Sequence, residues 1–170
     1  MAEAPQEHPL ALERVGAVAR LRLDRPALHN AFDAGLISAL TSALDQLRGM
    51  ASASEAENRD DALALARLMR TLDELPKPTI ARVQGAAFGG GVGLVACCDI
   101  AIGVPEAKFG LTESKLGLLP AVISPYVIAA IGTREARRWF ATGEIFDAAT
   151  ALRIGLLHTV VEADALDAAI

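Results

Sequence analysis

The stretch Ile80–Cys98, IARVQGAAFGGGVGLVACC, constrains the fold of this chain more than any other. A short β-prone run, Ile80–Val83, leads into Gly85, and three consecutive glycines, Gly89, Gly90 and Gly91, then open an apolar run through Val92, Leu94 and Val95. The order reads as strand, glycine turn, helix. Glycines at a helix start leave the first amide N–H groups uncovered, and those groups have no partner inside the helix. Together with the helix dipole, such a terminus favours an anion or a developing negative charge. The competing reading is close packing of the helix, with glycine chosen for size, and spacing alone leaves both open. A dinucleotide fingerprint fits poorly. Gly89-x-Gly91-x-x-Leu94 lacks the third glycine, and the segment lies mid-chain.

Strands and helices alternate around this segment. Ala19, Leu21 and Leu23 alternate with Arg20, Arg22 and Asp24, a half-buried strand over 17–24 that Pro26 closes. Asp33 can cap a helix with Leu36, Ile37, Leu40, Leu44 and Leu47 on one face. Ser54 and Glu57 form a capping box ahead of a helix whose apolar face is Leu65, Leu68, Met69, Leu72 and Leu75; Pro76 and Pro78 stop it. Further strands are expected at 79–83 and 100–102, a loop over 108–120, and helices over 120–131 and 133–140. Asp147 caps one more helix, Gly155 ends it, and 156–161 reads as a strand. This alternation implies an α/β class with a largely parallel sheet.

Composition narrows the function classes. Of 170 residues 52% are hydrophobic and 22% charged, enough apolar matter for one domain with a real core. A net charge of −5 and a pI near 5.2 argue against nucleic acid, whose phosphates need clustered Lys and Arg. The mean hydropathy is positive, yet the longest apolar run, Gly85–Cys98, is shorter than the ~20 residues that cross a bilayer and too rich in glycine to face lipid. No membrane partner is expected. Residues 1–10 carry acids and two prolines rather than a basic, apolar leader, so no secretory signal is expected and a cytoplasmic location follows. Cys97 and Cys98 are adjacent, which suits neither a disulfide framework nor a metal site, and His8, His29 and His158 share no ligand spacing. Free, buried thiols and no metal are the expectation.

PKPTIARVQGAAFGGGVGLVACCDIAI followed by AKFGLTESKLGLLP resembles the signature of the enoyl-CoA hydratase/isomerase (crotonase) family in order and spacing. LDRPALHNAF and WFATGEIFDAATALRIGLLHTVV resemble that family's first strand and its later helix–strand region, so the likeness covers nearly all of 15–170. It implies a crotonase-like spiral of ββα units with parallel sheets and packed helices, and an acyl-CoA thioester as substrate with no separate cofactor. It implies that the Gly90 amide donates to the thioester oxyanion, that Gly89, Gly90 and Leu111 bind substrate, and that Glu113, in Phe-Gly-x-x-Glu, is the acid/base. Backbone donors at a helix start suit charge that grows in the transition state. On residue type alone, a lone glutamate in a loop reads as a solvated surface charge. The resemblance also implies a homotrimer or hexamer.

Three departures from the family pattern matter. Many hydratases carry a second glutamate two residues after the glycine triplet; Gly93 stands there, so Glu113 must move protons alone unless another residue substitutes. The VGL pattern and GLTESKLGLLPAVISPYV are similar to the methylglutaconyl-CoA hydratases of leucine breakdown. After Leu47, DQLRGMAS runs on where the family has a further strand and an Ala-Gly-Ala-Asp-like loop supplying the second oxyanion donor. The chain also ends before the family's C-terminal helical region. The expectation is one core domain over 1–170, lacking these two parts, from a longer polypeptide. The leading function is hydration or dehydration of an α,β-unsaturated acyl-CoA. A single-glutamate enoyl-CoA isomerase and an inactive crotonase-fold module are the alternatives. RNA binding, found in relatives of the methylglutaconyl-CoA hydratases, sits badly with the acidic balance.

Overall fold

In a computed structural model the described residues are 10–15, 18–23, 40, 60–116 and 119–170. The helix capped by Asp33 (Leu40 apart), the Ser54–Glu57 capping box and the interruption expected after Leu47 lie outside them. Strands β1 (Leu10–Val15) and β2 (Val18–Leu23) form an antiparallel hairpin that sets Leu10 opposite Leu23 and Leu12 opposite Leu21. Helix α1 (Asp60–Asp73) follows the expected periodicity: Leu68 and Met69 are fully buried, with Leu65 and Leu72 packed beside them.

Two ββα units then stack. The first is β3 (Ile80–Val83), β4 (Ala86–Phe88) and helix α2 (Gly90–Cys97). The second begins with β5 (Ile100–Gly103) and β6 (Lys108–Gly110), continues through a 3₁₀ helix over Thr112–Leu116, and enters α3 (Ser124–Thr142). The first strands of both units pair in parallel, Ile80 beside Ile100, in a sheet ordered β3-β5-β8 with β8 at Thr159–Val160. The second strands pair in parallel in another sheet, ordered β4-β6-β7, where β7 (Ile145–Asp147) is antiparallel to β6. The α/β expectation with mainly parallel pairing holds. The sequence reading missed β1, β4, β6 and β7, and 108–120 is not simply a loop. Each of these strands except β1 spans three residues, too few to show a period.

Local chemistry fixes the ends of these elements. Asp99 Oδ2 accepts from the Thr79 amide at 2.7 Å and hydroxyl at 2.8 Å, and the Asp99 amide donates back to Thr79 Oγ1. This clasp starts β3 and β5 level and holds the Asp99 carboxyl below its usual range. Gly132, at φ 74, breaks α3 into the two helices expected on either side of it. Asp147 caps α4 (Ala148–Arg153), its carboxylate accepting from the Thr150 amide at 2.8 Å, and Gly155 follows with φ 86, as expected. The expected strand over 156–161 is reduced to Thr159–Val160, because Leu156 and Leu157 turn inward and are buried. The core runs through both sheets and helices, with Phe109, Phe146 and Trp139 in aromatic contact at its centre.

Candidate active site

The site follows from the register of β4 and β6. Phe88 pairs with Gly110, so the parallel strands end level, and the Gly89 amide adds one more rung by donating to the Gly110 carbonyl at 2.9 Å. Beyond that rung one chain enters α2 at Gly90 and the other enters the 3₁₀ helix that carries Glu113. A helix start and a carboxyl group, far apart in sequence, thus meet at the carboxyl ends of adjacent parallel strands, where ligands of α/β proteins commonly bind.

Gly89 is the N-cap of α2, with φ 53 and ψ −119, and no side chain caps the helix. Its carbonyl accepts from the amides of Val92 at 2.9 Å and Gly93 at 3.2 Å. The amides of Gly90 and Gly91 have no backbone acceptor among the described residues. They are the first-turn donors that a helix leaves free, and the absence of side chains on both keeps them approachable. No acid lies in that turn.

Glu113 lies against this terminus. A methyl group placed on Gly89 would come within 3.1 Å of Glu113 Oε1, so only glycine combines the positive φ with this close approach. Glu113 is half-buried, not a solvated surface charge, and its Oε2 is enclosed with no hydrogen-bond partner among the described residues. Burial pushes its carboxyl above the ordinary range, partly opposed by its own backbone amide, and no charged neighbour contributes. A carboxyl group so placed can both accept and return a proton.

The other expected residues are also located. Leu111 is fully buried, with its side chain in the core. Gly93 lies one turn into α2, packed against Ile123 and Met69. Sequence reasoning passed over Ile123, although a glycine in mid-helix is itself a sign of close approach. Cys97 and Cys98 are free thiols raised by burial, Cys98 to about 11, so neither is a ready nucleophile. Among the described residues no cluster of three His, Cys, Asp or Glu side chains could share a metal ion, and no helix is long and apolar enough to cross a membrane. An open groove of about 750 Å³ is lined by Lys115, Arg138, Trp139 and Glu144 and takes in neither Gly90 nor Glu113.

These features define an α/β protein of stacked ββα units with a free helix terminus facing a desolvated carboxyl group. Residues 47–170 match the family model described as enoyl-CoA hydratase/isomerase. The crystal structure of an enoyl-CoA hydratase from Shewanella pealeana superposes with a TM-score of 0.85 at 43% identity, covering 96% of this chain and 71% of that one. The chain belongs to the enoyl-CoA hydratase/isomerase family and has the crotonase fold. It is 36% identical over 180 residues to a Mycobacterium tuberculosis protein named probable enoyl-CoA hydratase echA8, covering 92% of this chain and 70% of that protein. Enoyl-CoA hydratase ACTT6 of Alternaria alternata is 42% identical over 107 residues, 62% of this chain. The chain spans well under half the length of several curated relatives it matches, 36% in the case of ACTT6.

Proposed function

We propose that this chain forms the core of an enzyme that adds water to, or removes it from, an α,β-unsaturated acyl-CoA. The observation that supports this most is the enclosed Glu113 Oε2, without a hydrogen-bond partner among the described residues, beside the Gly89–Gly91 helix start. In the hydration direction Glu113 takes a proton from water as its oxygen bonds to the β-carbon. Electrons of the double bond move to the thioester oxygen, and the Gly90 amide donates to the resulting enolate. Glu113 then returns its proton to the α-carbon, so one water is consumed and the carboxylate is regenerated. Gly89 and Leu111 border the acyl group in this reading. No cofactor enters; coenzyme A belongs to the substrate.

The GLTESKLGLLPAVISPYV stretch supports methylglutaconyl-CoA as the acyl substrate. The family resemblance supports a trimer-based assembly. Isomerisation of a 3-enoyl to a 2-enoyl thioester is a second reading, favoured by the presence of Gly93 where a second acid would stand. The test supplies crotonyl-CoA, 3-methylglutaconyl-CoA and a 3-enoyl-CoA in parallel and follows the 2-enoyl chromophore. Loss of the chromophore with gain of one water supports hydration, and its appearance from the 3-enoyl compound alone supports isomerisation. Failure to bind or turn over all three refutes both.

A further inference from the structure

We propose that Ile123 fixes this as a one-carboxylate site, because its side chain fills the volume into which any side chain at position 93 would project. The inference rests on the acyl-CoA reading for its chemistry but on packing for its geometry. A methyl group placed on Gly93 would stand 2.9 Å from Ile123 Cβ and 3.0 Å from Met69 Cε, and would overlap Ile123 Cγ2 outright. Real Cβ atoms do not tolerate such distances, and neither neighbour has room to retreat: Ile123 is 2% exposed and Met69 is fully buried. Ile123 is held in place from its own side as well. It precedes α3, its carbonyl accepts from the Val127 amide at 3.0 Å, and the next residue, Ser124, bonds back to the Pro120 carbonyl through both its amide and its hydroxyl.

The location gives this packing its consequence. The Gly93 amide donates to the Gly89 carbonyl, so the two glycines are one turn apart on α2, and Glu113 covers the first while Ile123 covers the second. Ile123 therefore takes the berth beside the carboxyl group. It presents hydrocarbon where an acidic side chain could otherwise share the proton work. Residue 123 is on this argument a positioning and specificity residue, acting through what it excludes.

The test begins with stability, which needs no substrate. Alanine at an open mid-helix glycine raises Tm. Gly93→Ala should instead lower Tm by several degrees, and the same change in an Ile123→Ala background should lower it less, because the Cγ2 that overlaps the added methyl is gone while the Cβ of residue 123 and Met69 Cε remain. A rise in Tm from Gly93→Ala in the otherwise unchanged protein would overturn the occlusion. The second arm compares Ile123→Ala with Ile123→Ala/Gly93→Glu. A second carboxyl beside Glu113 should move the apparent pKa of the pH–rate profile upward by about one unit or more. An unmoved profile in an active, folded double variant would overturn the adjacency. Absence of acyl-CoA binding by the unaltered protein would refute the functional reading while leaving the stability result to stand or fall by itself.

Discussion

Glu113→Gln separates proton transfer from everything else the site does. Glutamine keeps the length and planar end of the side chain, so it fits under Gly89, where the carboxyl oxygen already lies 3.1 Å from the position of a Cβ. What it lacks is a proton that can leave and return. General acid–base catalysis contributes about 10²–10⁴ in rate, or about 3–5 kcal/mol of transition-state stabilisation. Since Gly93 leaves no second acid at its position to share the work, the loss should fall toward the upper part of that range. Affinity for a non-reactive acyl-CoA, measured by titration calorimetry, should barely change. Stability supplies an independent readout. Burial raises the Glu113 carboxyl above its unfolded value, so the native state holds its proton to higher pH than the unfolded chain does. Wild-type stability is therefore full below the unfolded pKa and declines as pH rises toward the folded one. Glutamine does not titrate. The variant should match the wild type in acid and exceed it in Tm at neutral pH. Wild-type turnover in the folded variant would end the single-glutamate mechanism, and a variant less stable at neutral pH than in acid by the wild-type margin would refute the burial argument.

Gly90→Pro removes the proposed oxyanion donor at a first helical position, where proline is otherwise well accepted; turnover should fall at least about 10²-fold with the circular dichroism spectrum intact. Gly89→Ala forces a side chain into positive φ and against Glu113 Oε1, and should lower both Tm and turnover, whereas an unchanged rate would detach the glycine from the carboxyl group. Asp147→Ala deletes the α4 cap and should lower Tm by about 2–4 °C near neutral pH. Its carboxyl is held below the usual range by the Thr150 amide and hydroxyl, so the difference from wild type should close as pH falls through that depressed pKa. Light scattering at micromolar concentration should give a mass that is a multiple of three chains, and a stable monomer would refute the trimer.

How much of this was legible in the sequence depends on the range of the interaction that decides each feature. The α1 face of Leu65, Leu68, Met69 and Leu72 could be read directly, because helical periodicity is written within one turn or two. The Asp147 cap and the break at Gly132 were equally visible, since both are decided by a residue and its immediate neighbours. Strands β4, β6 and β7 were not. Their three-residue runs carry no alternation of their own, and they exist as strands because Phe88 meets Gly110 and Phe109 meets Phe146 across long intervals of chain.

The candidate site divides along the same line, and the division explains why the glycine triplet alone was ambiguous. Close packing and anion binding were competing explanations for glycine at 89–93, yet the fold uses both on one helix. Gly90 and Gly91 offer amides with no backbone acceptor among the described residues, which is the binding reading. Gly89 and Gly93 accommodate Glu113 and Ile123, which is the packing reading. The single rung between the Gly89 amide and the Gly110 carbonyl joins the two. It sets the reach from the strand end to Glu113, and so decides that a glutamate resembling a loop charge is held half-buried beside the helix start. A residue's chemistry here follows from which neighbour covers it, and that neighbour is chosen by strand register. Displacing the β4–β6 register by one residue would turn the pleat over and carry Glu113 away from the amides with every functional residue still present in the chain.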